Sequence, residues 1–131
     1  MLVSARLTPS GAAQAVLDQA EAKYDLLLSD FILQQVERVL HHPHIQAGFP
    51  HLNDAAIAAY IASLRKAGNL VDETTPIDAS PDPEDNRILA AAVDGQADYL
   101  VTGNLSHFPP ACGQIKILSL AAFRYILKQS P

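Results

Sequence analysis

The sequence predicts an α/β fold, a parallel sheet with helices on both faces, and three observations carry that prediction. Short apolar runs recur at residues 26–28, Tyr99–Val101 and Ile115–Leu118, each too brief for a helix. Between them lie longer stretches whose apolar residues return every three or four positions, the period of a helix with one buried face. Those stretches open on Ser, Asn or Asp and close on Gly or Pro, the residues that cap and end helices. Strands alternating with helices imply parallel pairing, because a helical crossover returns the chain to the same end of the sheet.

Taken in order, Ser10 or Gly11 opens a helix that carries Ala15, Val16 and Ala20 and reaches Tyr24. Leu26, Leu27 and Leu28 form a short buried strand. Ser29 and Asp30 start the next helix, with Ile32, Leu33, Val36, Val39 and Leu40 as its apolar stripe, and Pro43 breaks it. Asn53 and Asp54 open a further helix on Ile57, Tyr60, Ile61 and Leu64, closed by Gly68. Residues 69–71 read as a weak strand. The stretch 72–83, rich in Pro, Asp and Thr, reads as a loop. Ile115–Leu118 is the last strand, and Ser119 caps a helix running through Lys128.

At 131 residues the chain is expected to form a single domain, 1–131, able to bury a core without disulfides. Its single cysteine, Cys112, rules out an intrachain disulfide and reads as an inert thiol in a reducing compartment, with the cytoplasm as the default. No apolar run approaches the roughly 18 residues of a membrane span, and the start MLVSARLTPSG has no signal-peptide pattern. Net charge is −5, with nine scattered basic residues. That argues against a module that binds nucleic acid through its bulk field. A bound metal can still supply positive charge locally.

The most informative stretch is residues 82–109, DPEDNRILAAAVDGQADYLVTGNLSHFP. Asp82 can cap a helix, Pro83 suits its first turn, and Glu84 and Asp85 place negative charge where the helix dipole favours it. Ile88, Leu89, Ala92 and Val93 line one face, and Gly95 stops the helix. Tyr99, Leu100 and Val101 form the following strand, and Thr102, Gly103 and Asn104 open the loop where parallel sheets bind ligands. Asp85 and Asn104 thus sit on neighbouring elements able to converge.

This segment resembles the signature of PIN-domain ribonucleases, in particular the toxin components of bacterial toxin–antitoxin pairs. Those proteins combine an Asp-x-x-Asp-Asn helix start with a Thr-Gly-Asp/Asn-x-x-His-Phe-Pro loop, read here at 82–86 and 102–109. The resemblance extends to LVSARLTPSGAA at 2–13, the Ser-Asp-led helix at 29–40 and the Pro-containing link at 41–45. It implies a three-layer α/β/α architecture around a central parallel sheet. It also implies an Mg²⁺- or Mn²⁺-dependent endoribonuclease acting on RNA and silenced by a cognate antitoxin, with a homodimer an open alternative. By the same resemblance Asp85 is the core metal-binding acid, Asp82 an accessory ligand, and Glu37 a further ligand. Asn104 stands where many relatives carry Asp and Thr102 orients its neighbours. Relatives begin with a hydrophobic strand ending in Asp-Thr-Asn, whose acid is a metal ligand. Against that pattern Met1 falls just past the strand, so the domain reads as incomplete at its N-terminus, without the family's first strand and first acid. The chain as given is then expected to cleave poorly.

Each candidate has a plainer reading. Glu37 lies at the edge of its helix's apolar stripe, half buried, where an ion pair would also serve it. Asp82 and Asp85 fit helix capping alone. His41, His42 and His44 lack any Cys or acid at zinc-finger spacing and complement a helix C-terminus. His107 reads as a structural part of its loop, and the Gly-Ala run at 11–13 lacks the spacing and lysine of a phosphate loop. Two alternatives stand beside the nuclease: an inactive PIN-like module that keeps only partner binding, and an unrelated doubly wound domain. The latter predicts an acid pair after the first strand and a late lysine, neither visible here.

Overall fold

The computed structural model describes residues 1–8 and 10–129, so Pro9 of the LVSARLTPSGAA motif lies outside the described residues. The chain divides into two compact units, Leu2–Leu70 and Val71–Pro131, with Met1 grouped with the second.

In the first unit, helices α1 (Leu2–Leu7) and α2 (Ala12–Leu17) precede strand β1 (Leu27–Leu28). Helices α3 (Asp30–Leu40), α4 (Pro43–Gly48) and α5 (Asp54–Ala67) follow, then strand β2 (Asn69–Leu70). The helix starts at 29–30 and 53–54 are where the sequence places them, because both caps are local. Ser29 Oγ accepts from the Ile32 N–H at 3.2 Å, and Asn53 Oδ1 from the Ala56 N–H at 2.8 Å. Leu33, Val36 and Leu40 of α3 and Ile57, Tyr60, Ile61 and Leu64 of α5 are buried as their spacing predicts.

Three features of this unit differ from expectation. Helix α2 stops at Leu17 instead of reaching Tyr24; Glu21 takes a left-handed φ of 70°, and the Tyr24 hydroxyl folds back to donate to the Val16 carbonyl at 2.8 Å. Helix α1 was not legible. Its six residues are too few to stand alone, and the buried Tyr60 hydroxyl secures it by donating to the Leu2 carbonyl. Pro43 does not merely break a helix but begins one: it sits in the first turn of α4, where its missing N–H costs nothing, and His42 Nδ1 caps that turn.

The second unit carries α6 (Pro83–Asp94), β3 (Tyr99–Val101), a 3-10 turn (Leu105–His107), β4 (Ala111–Cys112), β5 (Ile115–Leu118) and α7 (Leu120–Gln129). Leu89, Ala92, Leu100, Ile115 and Ile117 make its core, with Ile77, Ile88, Val93, Phe108 and Cys112 packed against it. Strand β4, which the sequence did not announce, pairs antiparallel with β5. The hairpin turns at Gly113, whose φ of 59° favours glycine.

Two pairs are parallel: β1 with β2, Leu27 opposite Asn69, and β3 with β5, Leu100 opposite Ile117. The strands form two sheets, β1-β2 and β3-β5-β4, where the sequence predicts one central sheet. The reason lies in partner choice. β1 reaches β2 through α3, α4 and α5, whereas β3 reaches β5 through only the 3-10 turn and β4, and among the described residues no strand of one sheet pairs with a strand of the other. No described helix is long and apolar enough to cross a membrane.

Candidate active site

The site is built on the start of α6 and on the loop after β3, both in the Val71–Pro131 unit. Asp82 caps α6 as expected: its Oδ1 accepts from the Glu84 N–H at 2.9 Å. One turn inside, Asp85 is held differently. Its side chain is 14% exposed, and Oδ2 is buried with no hydrogen-bond partner among the described residues. A carboxylate so placed has lost water without gaining donors. Its pKa is accordingly raised, first by burial, then by the charge of Asp82, with Glu84 adding to the rise. His107 and the Ser80 hydroxyl oppose it. Capping explains Asp82; it does not explain why Asp85 is buried and unpaired.

The second element is the loop. Thr102 Oγ1 accepts from the Asn104 N–H at 3.1 Å, the orienting role expected of Thr102. The Asn104 carbonyl accepts from the His107 N–H at 3.0 Å, closing the 3-10 turn, while the Asn104 side chain is exposed and caps nothing. That turn carries His107 back toward α6, and its Nδ1 lies 3.7 Å from Asp85 Oδ2. The sequence reading of His107 is a structural loop residue, with a place near substrate left open; its approach to Asp85 is visible only in the structure.

Two further residues escaped it. Asn86 Oδ1 accepts from the N–H groups of Ala79 and Ser80 at 3.0 and 2.8 Å, and its Nδ2 donates to the Ser80 carbonyl at 2.9 Å. It thereby pins the incoming loop to the helix. Ser80 is 6% exposed, one of two buried polar residues among the described residues, and its hydroxyl donates to the His107 carbonyl at 2.8 Å. The only cue was the asparagine following Asp85, since nothing in DASPDP distinguishes a buried serine from a solvated one.

Glu37 belongs to the other unit, on α3. It is exposed, not half buried as its position at the stripe's edge suggested. The buried stripe of Leu33, Val36 and Leu40 extends on its other margin toward half-buried Ile32, leaving Glu37 beside exposed Gln34 and Arg38.

A comparison with protein families matches residues 1–106 to the PIN domain. The chain belongs to the PIN-domain family. The match spans Glu37, Asp82, Asp85 and Asn104. No curated protein and no solved structure matches. The PIN domain is a nuclease-type α/β fold, and membership implies nucleic acid as the partner.

A PIN-type acidic site raises the question of a cation, which the donor set answers in part. Among the described residues no three His, Cys, Asp or Glu side chains gather as a metal-ligating group. What is present is one buried, unpaired carboxylate oxygen, Asp85 Oδ2, beside two further acids that raise its pKa. That is a site short of positive charge. It fits a hard, hydrated cation such as Mg²⁺ or Mn²⁺, which keeps several waters and takes only one or two carboxylates. A cleft of about 490 Å³ opens nearby on α6, lined by Thr74, Ile77, Pro83, Asn86 and Arg87, but neither Asp85 nor Asn104 lines it.

Proposed function

We propose that this PIN-domain protein is a Mg²⁺- or Mn²⁺-dependent endoribonuclease and the toxin component of a toxin–antitoxin pair. The observation that carries the reading is Asp85: a half-buried carboxylate whose Oδ2 is buried without a hydrogen-bond partner among the described residues, at the start of a helix in a nuclease-type fold. A group in that state costs stability and is retained where it holds something.

Asp85 would anchor the ion, with Asp82 accessory and the Asn104 carbonyl oxygen a neutral ligand that adds no charge. Glu37 is a further ligand by the family resemblance alone. Bound there, the cation would activate water and offset charge developing on the scissile phosphate. Thr102 orients the Asn104 backbone, and His107, 3.7 Å from Asp85, lies where it can meet an RNA phosphate. The toxin role is supported by the Thr-Gly-Asn-x-x-His-Phe-Pro loop at 102–109. An antitoxin with a basic segment would complement this acidic site.

A second reading is favoured by one observation: no three acid, His or Cys ligands gather among the described residues. On it, the protein is an inactive PIN-like module that keeps only partner binding. Cleavage of a fluorescent RNA separates the two. Cleavage that requires Mn²⁺, stops with EDTA and is lost in Asp85→Asn supports the nuclease; RNA left intact at all metal concentrations supports the inactive module. Co-expression with the product of an adjacent small gene tests the toxin role, and no co-purifying partner would count against it.

A further inference from the structure

Ser80 stands at the junction of the two elements that build the site. Its backbone is fixed on both sides by Asn86, which accepts from the Ser80 N–H and donates to the Ser80 carbonyl. Its hydroxyl is buried at this junction. It accepts from the Asp82 N–H at 3.3 Å and donates to the His107 carbonyl at 2.8 Å, joining segments 27 residues apart. One 3-10 turn connects His107 to Asn104. Fixing the His107 carbonyl thus fixes where Asn104 stands relative to Asp82 and Asp85.

The chemistry of a hydroxyl sharpens the point. It has one proton to give. Ser80 gives it to the His107 carbonyl at 2.8 Å, from a place beside Asp85.

We propose that Ser80 is a positioning residue: by donating to the His107 carbonyl while accepting from the Asp82 N–H, it ties the 102–109 loop to the start of α6 and so sets where His107 and Asn104 stand beside Asp85, the proposed cation ligand. The role rests on the nuclease reading for its purpose, though not for its geometry. Supporting residues one step removed from a metal ligand typically govern its affinity by about 10–100-fold.

The test uses the full chain as wild type, Ser80→Ala, Ser80→Cys and Ser80→Thr. Mn²⁺ alone is the probe, its binding read by electron paramagnetic resonance of the free ion. Backbone hydrogen exchange is read in the absence of metal. Ser80→Ala is expected to weaken Mn²⁺ binding by about 10–100-fold and to speed exchange in 102–109 while β5 keeps its protection. Ser80→Thr, which retains the hydroxyl, should restore both, and Ser80→Cys, a weak donor of similar shape, should fall between. Unchanged Mn²⁺ affinity and unchanged exchange in Ser80→Ala, or in Ser80→Cys if the alanine variant fails to fold, would overturn the proposal. If wild type binds no Mn²⁺ and cleaves no RNA, the nuclease reading falls. Exchange in the 102–109 loop then decides the positioning role on its own, with selective loss in Ser80→Ala upholding it and uniform protection ending it.

Discussion

Two aspartates on one helix show how differently the same side chain is used. Asp85, near the start of α6, is buried with an unpaired oxygen and has a raised pKa. Asp94, at the other end, accepts from the Thr74 and Thr75 N–H groups and from the Thr75 hydroxyl, and these bonds lower its pKa. The signs of their pH dependence are opposite. The folded state holds the Asp85 proton more tightly than the unfolded chain, so its contribution worsens as pH rises from the ordinary value of 3.8 through the raised one. Asp85→Asn should therefore raise the thermal midpoint at pH 7 in EDTA while abolishing metal-dependent cleavage, and its advantage should vanish near pH 3. Equal midpoints for the two proteins at pH 7 would mean that Asp85 is not strained. Asp94 stabilises the fold above 3.8, and that contribution is lost as pH falls through its lowered value. Asp94→Ala should cost stability at pH 7 and progressively less in acid, measured by urea titration at several pH values.

At the scale of elements, what matters is how closely they approach. The end of α5 runs against β1 at Gly68, where a Cβ would lie 2.6 Å from Leu28 Cδ1 and 3.2 Å from the Leu26 carbonyl oxygen. Leu28 is 1% exposed and has no room to yield. Gly68→Ala should therefore destabilise by about 1–3 kcal/mol, the usual range for overpacking, although alanine is the better helix former. In the other unit α6 packs on β3 through Leu89, which is fully buried in the cluster with Leu100, Ile115 and Ile117. Leu89→Ala removes most of that side chain and should cost about 2–5 kcal/mol. Chemical denaturation of both variants checks these magnitudes, and a Leu89→Ala loss well under 1 kcal/mol would mean that α6 is not anchored by this core.

For the molecule as a whole the governing quantity is its charge. A net −5 repels RNA at long range, so binding must draw on local positive charge. RNA affinity of the Asp82→Asn protein, which keeps the Asp85 anchor, should accordingly rise with Mn²⁺ and collapse in EDTA. Its dependence on monovalent salt should be shallow, because few phosphates are neutralised by side chains. Fluorescence anisotropy across salt and metal concentrations measures both. A steep salt slope without metal would point instead to a basic surface that the composition conceals.

The sequence by itself determined the elements whose causes are local. Caps at Ser29, Asn53, Asp82 and Ser119, stripes such as Leu33, Val36 and Leu40, and the runs at Tyr99–Val101 and Ile115–Leu118 became helices and strands where they were expected. Each depends on residues within a turn or two of one another. It also determined membership of the PIN-domain family, through motifs contiguous along the chain. Tertiary structure decided the rest. Helix α1 exists because Tyr60 reaches back to Leu2, and the strands sort into two sheets by partners that no single segment names. The state of Asp85 was decided in the same way. Its exposure, its Oδ2 without a hydrogen-bond partner and its neighbour His107 depend on contacts between segments far apart in sequence, such as the Ser80 hydroxyl and the His107 carbonyl 27 residues on, and these are properties of the packed chain, not of local spacing.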